Sequence, residues 1–369
     1  MKRGAMMKRS GGKYAASALV ITAAVLLVIY PKDTADAVRV GLMNCLNVII
    51  PSLFAMIVIS RIFISSGLYK LAGRPFGLIA RYIFRIPEPM FPVFLISMAA
   101  GYPVGASLIS EAYKEGGIEK EDAERLMCWC FGAGPAFIFS AVGQGVFGSA
   151  HCGAAIFVSC IGANILLGII LSFGREIPEK YSYKNNAKPE FSAQLLMDSI
   201  CGGGTAVLKM CAVVLFMSAL ISLPESLGIT VPAAVKLGKL TGSDPYIVYT
   251  AMRSLAEITN LTREHFGGVS YLPLASALVS FGGLSVFMQI KSVCGELKTG
   301  KMMLARAAAA IMSYFICGKL FGVMYSEACV SVMAHSETVR HNNPISTVFL
   351  LIMTILLLSE KSVSKLKKM

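Results

Sequence analysis

Charged residues are scarce in this sequence. Of its 369 residues, 15% are Asp, Glu, Lys or Arg, whereas 55% are hydrophobic. Because soluble domains carry about a quarter charged residues, this composition excludes an ordinary soluble protein. It predicts an all-α polytopic membrane protein, whose length builds one bundle of transmembrane helices rather than two or three soluble domains.

Motifs for metal binding and catalysis are also missing. The ten cysteines include no C-x-x-C pair, and no two of the four histidines lie four residues apart. The sequence has no G-x-S-x-G, no H-E-x-x-H and no phosphate-binding P-loop. An intramembrane hydrolase needs a nucleophile and a base within reach of each other. We therefore predict that the chain is not an enzyme and has no metal site and no cofactor.

The basic residues outnumber the acidic ones, 34 to 21, which gives a net charge of +13. They cluster beside apolar runs, as the cytoplasmic bias of Lys and Arg predicts, in 1–13, 67–88, 174–192 and 360–369. This placement predicts the lipid bilayer as the partner, argues against nucleic acid, and puts both termini in the cytoplasm. The segment 326–344 is poor in Lys and Arg and is predicted to lie outside the cytoplasm.

Apolar runs predict about eight spans by the hydropathy rule, at 14–30, 38–66, 126–148, 151–173, 203–223, 269–293, 303–325 and 345–359. The first run also fits a signal peptide, although we favour an uncleaved span. The chain then divides into a basic N-terminus with the first transmembrane helix, a first repeat, a cytoplasmic linker, a second repeat, and an extracytoplasmic loop with the last helix and a basic tail. Their bounds are 1–37, 38–174, 175–202, 203–325 and 326–369.

A glycine- and proline-rich break interrupts the apolar segment 89–113 at Gly101, Tyr102, Pro103 and Gly105. Each half is too short to cross about 30 Å of hydrocarbon. Broken backbone at membrane depth needs a protein or water-filled surrounding, so the segment predicts a re-entrant hairpin with a site at its tip. The alternative is a surface turn between two short helices. The preceding segment, 67–88, is predicted to be an amphipathic interfacial helix.

Two further glycine-rich breaks resemble each other. Phe131-Gly-Ala-Gly-Pro-Ala-Phe137 aligns with Phe281-Gly-Gly-Leu-Ser-Val-Phe287. The alignment predicts two inverted repeats with broken helices and a site near the bilayer midplane. Chance resemblance between two glycine-rich helices is the alternative. The candidate binding residues at these breaks are Gly132, Gly134, Pro135, Gly282, Gly283 and Ser285.

Glu257 is the strongest candidate for a functional charge, because carboxylates inside a membrane are costly. It lies opposite the Gly101 break in the proposed repeat, next to Thr259 and Asn260. Arg253 precedes it by one helical turn, so the two side chains can pair on one helix face. The pair either orients a polar substrate or an ion, or is a solvated pair near the extracytoplasmic surface.

Three motifs resemble those of the YlbJ family of sporulation integral membrane proteins: Gly101-Tyr-Pro-Val-Gly-Ala106, Gly134-Pro135-Ala-Phe-Ile138 and Phe281-Gly-Gly-Leu-Ser285. The resemblance covers roughly residues 40–325. That family carries the nucleoside recognition, or Gate, domain, and similar domains occur in spore maturation proteins A and B, in the ferrous iron permease FeoB and in concentrative nucleoside transporters. This chain has Gly132-Ala133 where the family usually has a polar Asn-Ser pair, and Ser107 where the family often has Lys, so the resemblance assigns no nucleoside.

The resemblance implies a multi-pass protein of the mother-cell or forespore membrane in an endospore-forming bacterium. A permease-like protein that moves a small polar solute is one hypothesis, which the broken helices favour. A non-transporting membrane component required for assembly of the spore cortex or coat is the other. The sequence leaves a monomer and a homo-oligomer both open.

Overall fold

A computed structural model describes residues 2–179, 190–263 and 268–324, and all regular structure in these ranges is helical. The first half comprises helices α1 (Lys2–Ile29), α2 (Pro31–Asn44), α3 (Ile50–Ser65), α4 (Leu68–Ala72), α5 (Met90–Ala100), α6 (Tyr102–Lys114), α7 (Lys120–Trp129), α8 (Gly145–Phe147) and α9 (Ala150–Ser172). The second half comprises α10 (Ala193–Ser226), α11 (Thr230–Thr241), α12 (Pro245–Ala256), α13 (Leu272–Phe281), α14 (Leu284–Cys294) and α15 (Gly300–Met324). Short π- and 3-10 segments connect several of them: Cys45–Ile49, Arg74–Phe76, Ile79–Ile83, Phe137–Gln144, Ile258–Arg263 and Val269–Tyr271.

Within the described residues, four helical stretches are long and apolar enough to cross a membrane: Ala150–Ser172, Ala193–Ser226, Val269–Cys294 and Gly300–Phe321. Two bent pairs raise this count to six if each is one span, with bends of 97° between α1 and α2 and 83° between α3 and α4. The predicted span 345–359 and the predicted loop 326–344 lie outside the described residues. The helical and membrane-spanning character predicted from composition is therefore confirmed, whereas the division into inverted repeats stays a prediction.

The interior of the bundle is built from short helices, and long helices surround it. Helix α15 packs against α9 and α13, while α10 packs against α2 and α3. Trp129 is fully buried and its ring lies 4.9 Å from the rings of both Phe84 and Phe94. Large apolar side chains such as Leu208 and Leu304 point outward and are exposed, as expected of helices whose outer surface contacts lipid.

The prediction of one amphipathic helix over 67–88 is wrong. The segment forms three short helical pieces, Leu68–Ala72, Arg74–Phe76 and Ile79–Ile83. Gly67 begins the segment with a φ of 77°, which turns the chain away from α3. Arg125 of α7 then donates hydrogen bonds to the backbone oxygens of Phe84 and Arg85. Because these backbone groups are fixed by α7, the segment is held against the bundle rather than lying as a free interfacial helix.

Candidate functional site

Four interruptions of helical structure, which we call the four breaks, lie between pairs of short helices. They are Gly101 between α5 and α6, residues 130–134 after α7, Glu257 after α12, and Gly282–Gly283 between α13 and α14. Three of them contain glycines with positive φ angles, which side chains with a Cβ rarely adopt: Gly101 at 97°, Gly134 at 78°, Gly282 at 89° and Gly283 at 85°. Glycine therefore permits the chain direction to change at these points.

The breaks contact one another closely. A Cβ at Gly134 would lie 3.4 Å from the backbone nitrogen of Gly101, which joins the first two breaks. A Cβ at Gly283 would lie 3.0 Å from the backbone oxygen of Ser254 at the end of α12. A Cβ at Gly282 would lie 2.7 Å from the Phe131 ring. Residues that are far apart in sequence thus form one cluster of irregular backbone within the bundle.

A cavity of about 50 Å³, the central cavity, lies where the four breaks meet. Predicted site residues supply part of its wall, namely Tyr102, Pro103, Glu257 and Thr259. The remaining lining residues come from the segment Cys45–Ile49 and α3, from the second break and the π segment after it, from the 3-10 segment after Glu257, and from α14: Val48, Ile49, Leu53, Ala133, Phe137, Ile258, Val286 and Gln289. The lining is mainly apolar, and its polar side chains are those of Tyr102, Glu257, Thr259 and Gln289.

Glu257 is the charged residue of the central cavity's lining and is 3% exposed. Its carboxylate accepts hydrogen bonds from the backbone nitrogen of Thr259 at 3.2 Å and from the Thr259 hydroxyl at 3.1 Å. Asn44 donates to the same hydroxyl oxygen at 3.3 Å. On α14, Gln289 donates to Ser285 at 3.3 Å. The cavity thus offers one carboxylate together with hydroxyl and amide groups.

The predicted pair of Arg253 and Glu257 lies at the end of α12. Helix α12 ends at Ala256, and Glu257 has an extended backbone with φ −145° and ψ 113°. The backbone nitrogen of Glu257 still donates to the backbone oxygen of Arg253 at 2.9 Å, so one helical turn separates the two residues. Arg253 forms an ion pair with Glu225 of α10, with Nε and Oε1 3.0 Å apart.

The other predicted site residues are buried at the breaks without lining the central cavity. Gly105 and Gly132 lie where a Cβ would meet backbone atoms of neighbouring segments, at 2.6 Å and 2.8 Å. Pro135 begins the helical segment that follows the second break, and Ser285 is 0% exposed on α14. Asn260 lines a smaller cavity of about 20 Å³ together with Arg253 and Glu225. The predicted site residues thus divide into those that line the central cavity and those that shape the backbone around it.

Arg306 of α15 is a buried charge that the sequence analysis missed. It is 0% exposed, and its guanidinium donates to the backbone oxygen of Ser280, to its hydroxyl at 2.9 Å, and to the backbone oxygen of Cys128 at 3.3 Å. It also donates to the side-chain oxygen of Asn164 at 2.6 Å. The guanidinium carbon lies 4.3 Å from the centre of the Phe131 ring.

The side chains of Tyr102 and Asn164 also donate hydrogen bonds to backbone oxygens near the breaks. The Tyr102 hydroxyl donates to the backbone oxygen of Val279 at 2.6 Å, and Asn164 donates to the backbone oxygen of Phe131 at 2.7 Å. These carbonyls lie at or beside helix ends, where the regular helical donor is missing because the helix stops. A lone arginine within the apolar run 303–325 was the available signal for this network, since ionisable residues inside membranes are rare.

In the described ranges, no group of three or more His, Cys, Asp or Glu side chains is arranged for a metal ion.

The helical architecture, the apolar spans and the buried cluster of broken helices define this chain as an all-α multi-pass membrane protein. The chain is similar to the sporulation integral membrane protein YlbJ of Bacillus subtilis (strain 168), with 31% identity over 159 residues. This similarity covers 43% of the present chain and 38% of the relative's length. The chain matches no protein-family model and no solved structure.

Proposed function

We propose that this chain is a sporulation-associated membrane protein that moves a small polar solute across the mother-cell or forespore membrane. The observation that carries the proposal is the meeting of the four breaks at one cavity that holds a buried carboxylate. Irregular backbone at membrane depth is tolerated where it lines a cavity, and broken helices mark substrate sites in transporter folds. The similarity to a sporulation integral membrane protein supplies the cellular setting.

The residues assigned to solute contact are Glu257, Thr259 and Gln289, together with Tyr102 and Pro103. Glu257 supplies a negative charge, and the hydroxyl and amide groups supply hydrogen bonds. These groups offer charge and hydrogen bonds to a solute, so we propose binding and passage rather than catalysis. The solute class that fits this lining is a small polar molecule with hydrogen-bond donors.

The size of the central cavity favours a second candidate function. Its volume of about 50 Å³ is far below the ~300–1,000 Å³ of typical small-molecule sites. Passage of a solute therefore requires the helices around the breaks to separate. A membrane component that does not transport, and is required for assembly of the spore cortex or coat, needs no such opening.

An untargeted comparison of small molecules in spores separates these functions. The host strain is compared with a deletion strain and with strains that carry Glu257→Gln or Glu296→Gln, the latter a matched control because Glu296 is exposed and lies outside the cavity. We expect spores from the deletion and Glu257→Gln strains to lack the same small molecule, while Glu296→Gln spores keep it. Normal small-molecule contents with a defective cortex or coat would support the assembly role, and normal spores from the deletion strain would refute both.

A further inference from the structure

Arg306 has an unusual set of partners for a charge buried in a membrane protein. Within the described ranges no carboxylate lies within ion-pair distance of it, and its hydrogen-bond acceptors are all uncharged oxygens. A buried charge without compensation is strongly unfavourable, so something other than a carboxylate must balance it. The positions of its acceptors identify what does so.

Two of these acceptors are the carbonyls of helix C-termini. Cys128 is in the last turn of α7, which ends at Trp129, and Ser280 is in the last turn of α13, which ends at Phe281. The carbonyls of a last helical turn lack intrahelical donors, and each helix C-terminus carries about −0.5 elementary charge. Two such ends sum to about −1, which one guanidinium balances. The two helices are those that stop at the second and fourth breaks.

We propose that Arg306 is a positioning residue that acts as a shared C-terminal cap for α7 and α13 and thereby fixes the second and fourth breaks relative to each other. Its planar fork reaches both helix ends at once, and it also orients Asn164, which binds the backbone oxygen of Phe131. The guanidinium covers the Phe131 ring, and that ring lies 4.7 Å from the ring of Tyr102. Tyr102 lines the central cavity, so Arg306 sets the shape of the cavity without contacting it.

The significance of this role for solute movement rests on the proposed function, but the role itself is testable without transport. Cys130 lies in the second break and is 2% exposed, whereas Cys152 is 0% exposed at the start of α9 and serves as an internal reference. The alkylation rates of both thiols are measured by mass spectrometry on the purified full-length protein. Unfolding of the whole protein raises the two rates together, whereas release of the helix ends raises the Cys130 rate alone.

The variants separate charge from hydrogen bonding. Arg306→Gln keeps donors without the charge, and Arg306→Lys keeps the charge with fewer donors. Lys319→Gln removes an exposed positive charge from the same helix and serves as the control. We expect the Cys130 rate to rise severalfold in Arg306→Gln, to rise less in Arg306→Lys and to stay unchanged in Lys319→Gln, with the Cys152 rate constant throughout.

The role is overturned if both thiols react faster in parallel or if neither reacts faster. It is also overturned if the Cys130 alkylation rate is no higher in Arg306→Gln than in Arg306→Lys. Should Arg306→Gln fail to accumulate, Arg306→Lys decides alone: a selective rise at Cys130 supports the role, and an unchanged or parallel rate refutes it. The two experiments can also give different answers. If the Cys130 rate alone rises but spores with and without the gene have the same small-molecule contents, the transport proposal is rejected and the shared cap is retained.

Discussion

Gly105 is expected to be one of the positions in this protein that are least tolerant of a side chain. It lies on α6, and a Cβ there would be 2.6 Å from the backbone oxygen of Cys130 and 2.6 Å from the Cβ of Ser97. Neither atom is the end of a flexible side chain. Relief of the contact would therefore require α6 to move away from the second break or from α5, and both movements disturb the cluster of breaks.

The expected magnitude follows from two opposing effects. Replacing a helical glycine by alanine gains about 1 kcal/mol of helix propensity. Inserting a methyl group into a tightly packed interior costs about 1–3 kcal/mol. The net change for Gly105→Ala is thus a loss of up to about 2 kcal/mol. Gly105→Val should lose more, because two further methyl groups meet the same backbone.

Thermal unfolding of the detergent-purified protein, together with its abundance in membranes, measures this effect. Gly318→Ala on α15 is the matched control, because the nearest atom to a Cβ there is Pro273 Cγ at 3.9 Å and the propensity gain is not offset. We expect a lower melting temperature for Gly105→Ala and an unchanged or higher one for Gly318→Ala. The packing argument would be refuted by a Gly105→Ala protein at least as stable as wild type, accompanied by Gly105→Val at normal abundance.

Three further outcomes are expected. Tyr102→Phe should lower the free energy of unfolding by about 1–3 kcal/mol, because the buried carbonyl of Val279 loses its donor, and thermal unfolding measures the loss. Arg253→Ala should lower membrane abundance because it leaves the charge of Glu225 without this partner, and adding Glu225→Ala should partly restore it. Cysteine labelling in intact cells, after removal of native thiols, should find 326–344 accessible from outside the cytoplasm.

Each of these outcomes has a control. Tyr314→Phe removes a hydroxyl from an exposed ring and should leave stability unchanged, so equal losses at the two tyrosines would contradict the role of the Tyr102 hydrogen bond. Matching single and double substitutions in the exposed pair Arg39–Asp36 should show no coupling in membrane abundance. Equal coupling in this pair and in Arg253–Glu225 would place Arg253 on a solvated surface. Labelling of 174–192 from the same side as 326–344 would refute the predicted topology.

Local signals predicted the positions of the breaks because glycine and proline act through the backbone itself. Gly101 and Gly134 have positive φ angles, and Pro135 begins a helix, as the residue types indicate. The sequence did not indicate that α12 ends between Arg253 and Glu257. No glycine or proline marks that break in the sequence.

The amino-acid sequence by itself determined the class of protein: its scarcity of charge and its long apolar runs require a bundle of helices in lipid, whatever their arrangement. The tertiary structure decided which carbonyls each break leaves without a donor and which side chains satisfy them. Tyr102 reaches Val279, and Arg306 reaches both Cys128 and Ser280. These partners are distant along the chain, and hydrogen bonds form where packing brings donor and acceptor within about 3 Å, a distance that no local pattern encodes.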